Sequence, residues 1–173
     1  MALTKLGIGA FPSGSVIQTI TATDNTVRTV AGDRDQALAD MQTVVSAAIT
    51  PSSTSSKVLI LGKVTVGGPG DGKEFQLFLK RGSTGIGGNT NSDMTAGSNY
   101  MCSGTCQTTE GGNTYFFSHL DSPSTTSATT YTIVFNGSEE STTYYLHRGN
   151  TSPGQYHYYN SADSSITLQE VVG

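Results

Sequence analysis

Apolar residues alternate with polar ones, or run together for a few positions, along most of this chain, and clusters of Gly, Pro, Asn and Ser punctuate the runs. Period-two alternation bounded by such clusters is the signature of β-strands. The pattern predicts strands over Ser15–Ala22, Thr26–Val30, Met41–Thr50, Lys57–Val66, Lys73–Arg81, Asn99–Gln107, Thr114–Leu120, Thr129–Asn136, Thr142–Arg148 and Ser165–Val171. Only DRDQALAD, Asp33–Asp40, fits a helical turn, with Asp33 as N-cap and Ala37 and Leu38 inside. The tract PSSTSS ahead of Lys57 reads as a connector, because Pro51 cannot donate to a ladder and Ser and Thr favour local turn bonds.

Several strands are apolar on both faces. Val58, Ile60, Val64 and Val66 share one face, while Leu59 and Leu61 lie opposite, before Lys63 and Thr65 take over. Phe75, Leu77 and Leu79 face away from Phe78, and Tyr131, Ile133 and Phe135 face away from Val134. A sandwich wet on both outer faces has no use for the second set. A loop, an arm or another subunit must cover it. The fold class expected is therefore all-β, an antiparallel β-sandwich, jelly-roll-like and oligomeric.

Composition agrees. Charged residues make up 13% of the 173-residue chain against an ordinary fraction of about 25%, while Ser, Thr, Asn and 21 Gly fill the gap. The net charge of −4 and the lack of a Lys/Arg cluster denser than Lys80-Arg81 exclude a nucleic-acid-binding surface built on phosphate neutralisation. No apolar run approaches signal-peptide or membrane-spanning length, so synthesis in a cytoplasm and no membrane partner are expected.

The motifs with chemical promise read blandly. GGPGDGK, Gly67–Lys73, satisfies G-x-x-x-x-G-K, but Glu74 stands where Mg²⁺ ligation needs Ser or Thr, and a strand follows where a helix should. A glycine-rich hairpin turn is the better reading. GSTGIGG, Gly82–Gly88, reads as a flexible loop. Cys102 and Cys106 would lie about 13 Å apart on an extended segment, beyond disulfide reach, and no second ligand pair offers a zinc site. They read as free, partly buried thiols. His119 shares a strand face with Asp121 but has no nucleophile beside it, and Glu139 and Glu140 fall in a turn. No catalytic residue, cofactor or metal is expected, and the chain is not expected to be an enzyme. QYHYYN, Gln155–Asn160, is dense in rings that could either fill a hairpin core or lie flat against a sugar. Asn136-Gly137-Ser138 and Asn150-Thr151-Ser152 match the glycosylation pattern by chance.

In order along the chain, GSVIQTI, ITPSSTSSKVLI, FLKRGST, YFFSHLDSPSTTSATTYTIVF and SITLQEV form a string that resembles structural proteins of tailed bacteriophages, especially those of marine hosts. The resemblance runs from Gly14 nearly to the end; DRDQALADM departs from it, since a Ser/Thr-rich segment is usual there. It implies a virion surface domain, made in the host cytoplasm and working outside on the particle.

The expectation that follows is a capsid decoration, or cement, protein, homotrimeric, clamping the major capsid protein from outside. Residues 1–13 would be an attachment arm, with Leu3, Leu6, Ile8 and Phe11 as apolar anchors, ahead of a β-sandwich over residues 14–173. The alternative is a tail-fibre or receptor-binding module joined to tail proteins, with Tyr156, His157, Tyr158 and Tyr159 on host surface glycans.

Overall fold

A computed structural model describes residues 8–68, 72–88, 100–106, 112–149 and 162–173. After a 3-10 turn, Ile8–Ala10, the strands are β1 (Val16–Asp24), β2 (Arg28–Ala31), β3 (Gln42–Ile49), β4 (Lys57–Gly67), β5 (Lys73–Arg81) and β6 (Thr84–Ile86). They continue with β7 (Tyr100–Cys106), β8 (Gly112–Asp121), β9 (Thr129–Gly137), β10 (Thr143–Leu146) and β11 (Ser164–Val171). All ten predicted strands are present, shifted by a residue or two at their ends. β6 is the addition.

The order of pairing identifies the architecture. Leaving aside the short β2, β6 and β10, the strands pair first with last and inward: β1 with β11, β3 with β9, β4 with β8, β5 with β7. Two further pairings, β11 with β4 and β9 with β5, close the sheets. One sheet therefore reads β8-β4-β11-β1 and the other β7-β5-β9-β3, all antiparallel. A long ribbon folded in half and rolled once gives this nested order, which is the jelly roll.

The predicted inner faces fill the space between the sheets. Val58, Ile60, Val64, Val66, Phe75, Leu77, Leu79, Tyr131, Ile133 and Phe135 form one buried cluster, which Ile166 and Leu168 of β11 join. Phe75 stacks on Phe135 at 5.5 Å between ring centroids and takes the edge of Tyr115 at 4.9 Å. Such contacts add to the burial of the rings themselves.

Three local expectations are corrected. GGPGDGK does not close a hairpin: β4 and β5 belong to different sheets, so the segment crosses from one to the other, and a Cβ on Gly68 would lie 2.3 Å from Cys106 Sγ. GSTGIGG is not a plain loop: Gly82, at φ +59°, turns the chain so that Thr84 pairs with Arg81 and β6 adds to β5. Asp33–Asp40 forms two turns and no helix, with Ala37 exposed and Leu38 half-buried. Backbone bonds from Gly32 to Thr142 (2.7 Å) and from Asp33 to Gly137 (2.9 Å) tie its start to the β9–β10 turn, which overrides a weak helical preference.

Candidate interaction surface

β8 places side chains by strict alternation. Tyr115 and Phe117 point inward: Tyr115 meets Phe75, and Phe117 lies over Gly62, where a Cβ would stand 2.3 Å from the ring. Gly62 is thus required by a ring that needs its space. At the strand's end Asp121 is buried, accepting from Arg81 Nη1 at 3.0 and 2.9 Å and from the Tyr131 hydroxyl at 2.7 Å. Burial, the hydrogen bond to Asp121 and its negative charge push the Tyr131 phenol far above its ordinary value, so it stays a donor at any working pH.

These inward anchors fix the register, and the register turns Phe116 and Leu120 outward. Phe116 is 71% exposed, Leu120 49% and Leu61 41%. Phe116 stands opposite Lys63, Ser118 opposite Leu61, and Leu120 opposite Leu59, so the four apolar side chains sit together on the outer face of β4 and β8. Lys63 bonds Asp163 at 2.7 Å, and this lowers the Asp163 carboxyl. Towards β1 the same face turns to hydroxyls: Thr21 bonds Thr167 at 3.0 Å. The surface is an apolar ridge at one edge of a neutral sheet.

The other outer face differs. Phe78 and Val134 are buried with Met41 in a second cluster, against which Leu38 and Tyr100 pack. Leu38 and Met41 of the Asp33–Met41 segment, with Tyr100 of β7, cover this face.

Of the anchors and rings expected from the sequence, only the Phe11 side chain falls among the described residues. Phe11 is 38% exposed and belongs to neither buried cluster. Leu3, Leu6 and Tyr156, His157, Tyr158 and Tyr159 lie outside the described residues, and the backbone of Ile8 opens the 3-10 turn. The cysteines are free thiols, Cys102 half-buried and Cys106 buried, and burial pushes the Cys106 thiol up to about 11. His147 follows β10, is buried, and has Nδ1 2.7 Å from the Thr26 carbonyl, to which it donates. Among the described residues no group of three His, Cys, Asp or Glu side chains is placed to hold a metal ion. Phe116 and Leu120 were missed by sequence reasoning. The signal was there in YFFSHL, where alternation must turn one aromatic away from the other two.

No family model matches the chain, and no curated protein matches it. Among solved structures it is similar to the infectious bursal disease virus VP2 subviral particle, with a TM-score of 0.41 and 14% identity over 90% of this chain and 38% of that one. A structure of the Gx strain of the same virus gives a TM-score of 0.41 and 14% identity over 92% and 42%. The chain spans about two-fifths of the length of those chains.

Proposed function

We propose that this chain is a structural protein of a bacteriophage virion, a decoration protein that binds the assembled head from outside. The observation that carries the reading is the bare apolar ridge of Leu61, Phe116 and Leu120 on a jelly-roll sheet. Contiguous exposed apolar surface rimmed by polar residues marks a site of association. Jelly rolls serve capsids, lectins and cupins alike, so the fold alone gives only analogy. The resemblance of five ordered sequence stretches to phage structural proteins favours the first of those uses. Residues 1–13 are the attachment arm in this reading, and the major capsid protein is the partner.

The test is the copy number per particle, from quantitative mass spectrometry of purified virions against the major capsid protein. A ratio near one supports decoration. A few copies per particle overturns it in favour of a tail position, and Tyr156 and Tyr158 then become the residues to mutate for host binding.

A further inference from the structure

Among the described residues one edge of β8 has no partner strand. Thr65 sends its N–H to Ser164 Oγ at 3.2 Å, and its carbonyl accepts from the His147 N–H at 3.0 Å. Both backbone groups therefore point to the β10 and β11 side of β4. Its partner Thr114 thus sits in a pair without mutual hydrogen bonds, and the β4–β8 register has no shift from Gly112 to Asp121. Thr114, Phe116, Ser118 and Leu120 consequently aim their N–H and C=O groups away from β4. Among the described residues no strand pairs on that side.

Native edge strands are protected by Lys, Pro, bulges or shortness. β8 is ten residues long, carries neither Lys nor Pro, and shows no bulge. Its edge groups belong to the same residues that hold exposed Phe116 and Leu120. We propose that β8 pairs antiparallel with β8 of a second copy across a two-fold axis at Ser118. This register sets Phe116 of each copy opposite Leu120 of the other, with Ser118 opposite itself. All three pairs join residues whose backbone groups face outward, as hydrogen-bonded antiparallel pairs require.

A second copy suits this edge because it is neutral and self-complementary. The outward positions Thr114, Phe116, Ser118 and Leu120 carry no charge, and the neighbouring Lys63 is already bonded to Asp163. In this register residues 115–121 of each β8 face one another, and seven residues at about 3.3 Å each make a strip about 23 Å long, which two sheets about 10 Å apart with their side chains make about 20 Å deep. Pairing along it covers on the order of 900 Å² in all, the size of a weak, reversible contact. The contact goes beyond the virion reading and does not rest on it: copy number tests location, and mass in solution tests the edge.

Sedimentation or light scattering of the full chain is expected to approach the mass of two chains as concentration rises through the micromolar range. Ser118→Lys puts two ammonium groups on the axis and is expected to weaken the dimer about 100-fold. Thr21→Lys, on the opposite edge strand, is expected to leave it intact. Phe116→Lys weakens association, and adding Leu120→Glu restores it, because each lysine then faces a glutamate of the other copy. This pair decides the matter even if Ser118→Lys lowers the unfolding midpoint. A monomeric or trimeric wild type, a Ser118→Lys dimer as tight as wild type, or a double variant no tighter than Phe116→Lys overturns the proposal.

Discussion

The two outer faces of this sandwich carry similar apolar residues and meet different fates. On the β3-β9-β5 sheet, Phe78 and Val134 are buried with Met41 beneath Leu38 and Tyr100. On the β4-β8 side, Leu61, Phe116 and Leu120 remain open to solvent. One face is covered by its own chain; on the other, the ridge is exposed. Apolar side chains on a strand's second face thus do not by themselves say what covers them. The same sequence feature is buried in one sheet and exposed in the other.

Truncation should separate the two most sharply. Phe78→Ala removes a buried ring and should cost about 3–5 kcal/mol in urea unfolding, through lost burial and the cavity left behind. Phe116→Ala should change stability by no more than about 0.5 kcal/mol at concentrations where the chain is dispersed. Equal losses at both positions would mean that the faces are not different in kind.

That contrast was half legible in the sequence. Period-two alternation placed Val58, Ile60, Phe75, Leu77, Tyr131 and Ile133 inside because strand geometry leaves no other choice. It also showed Leu59, Leu61, Phe78 and Val134 on the second faces. Which of them is covered depends on the path of Asp33–Met41, and that path is set by bonds from Gly32, Asp33 and Arg34 to residues 137–142, about a hundred positions away. The crossing at GGPGDGK was illegible for a related reason: a glycine turn fixes how the chain bends, and the partners of the flanking strands decide which sheet comes next.

PSSTSS shows the same limit from the polar side. Its reading as a connector is correct, with a turn bond from Ser56 N–H to Ser53. The connector also folds onto Glu170: the Ser52 N–H, the Ser52 hydroxyl and the Ser56 hydroxyl donate to one carboxylate oxygen at 2.6, 2.6 and 2.7 Å. Burial raises the Glu170 carboxyl, but the bonds from Ser52 and Ser56 outweigh it and hold the group below its ordinary value. Glu170→Ala should therefore cost about 2 kcal/mol at neutral pH, because it orphans buried donors. The sign with pH follows from linkage: a carboxyl depressed in the folded state stabilises above its unfolded value, about 4.3, and that stability is lost as pH falls through the folded value. Glu170→Gln should flatten the decline in unfolding free energy below about pH 4. A variant with the wild-type acid profile would show that the cradle carries no net energy.

The hydroxyl of Tyr131 offers a smaller test on the side of the molecule where the two sheets are locked together. Tyr131→Phe keeps the ring and removes one donor to Asp121, while Arg81 still supplies two contacts to the carboxylate. A loss of about 1 kcal/mol in thermal or urea unfolding is expected. Because Asp121 ends β8, a larger loss together with weakened self-association would mean that this cluster sets the position of the open edge as well as the stability of the core.

The smallest effect on stability is the one that bears most closely on why the open face is neutral. Asp163 closes the charge of Lys63, and Lys63 stands opposite Phe116 in the β4–β8 ladder. The pair lies at the surface, where such bridges contribute little, so Asp163→Asn should leave the unfolding midpoint where it is. It should nevertheless leave a bare ammonium beside the apolar ridge of each copy. Two copies meeting along β8 would bring these charges onto the same joined face, so association should weaken at low salt and recover as the Debye length shortens from about 30 Å at 0.01 M to about 10 Å at 0.1 M. Salt-independent association in Asp163→Asn would mean that the ridge meets its partner away from Lys63. A salt-sensitive one would show that the ion pair serves the contact, by keeping charge off a surface that must meet its own copy.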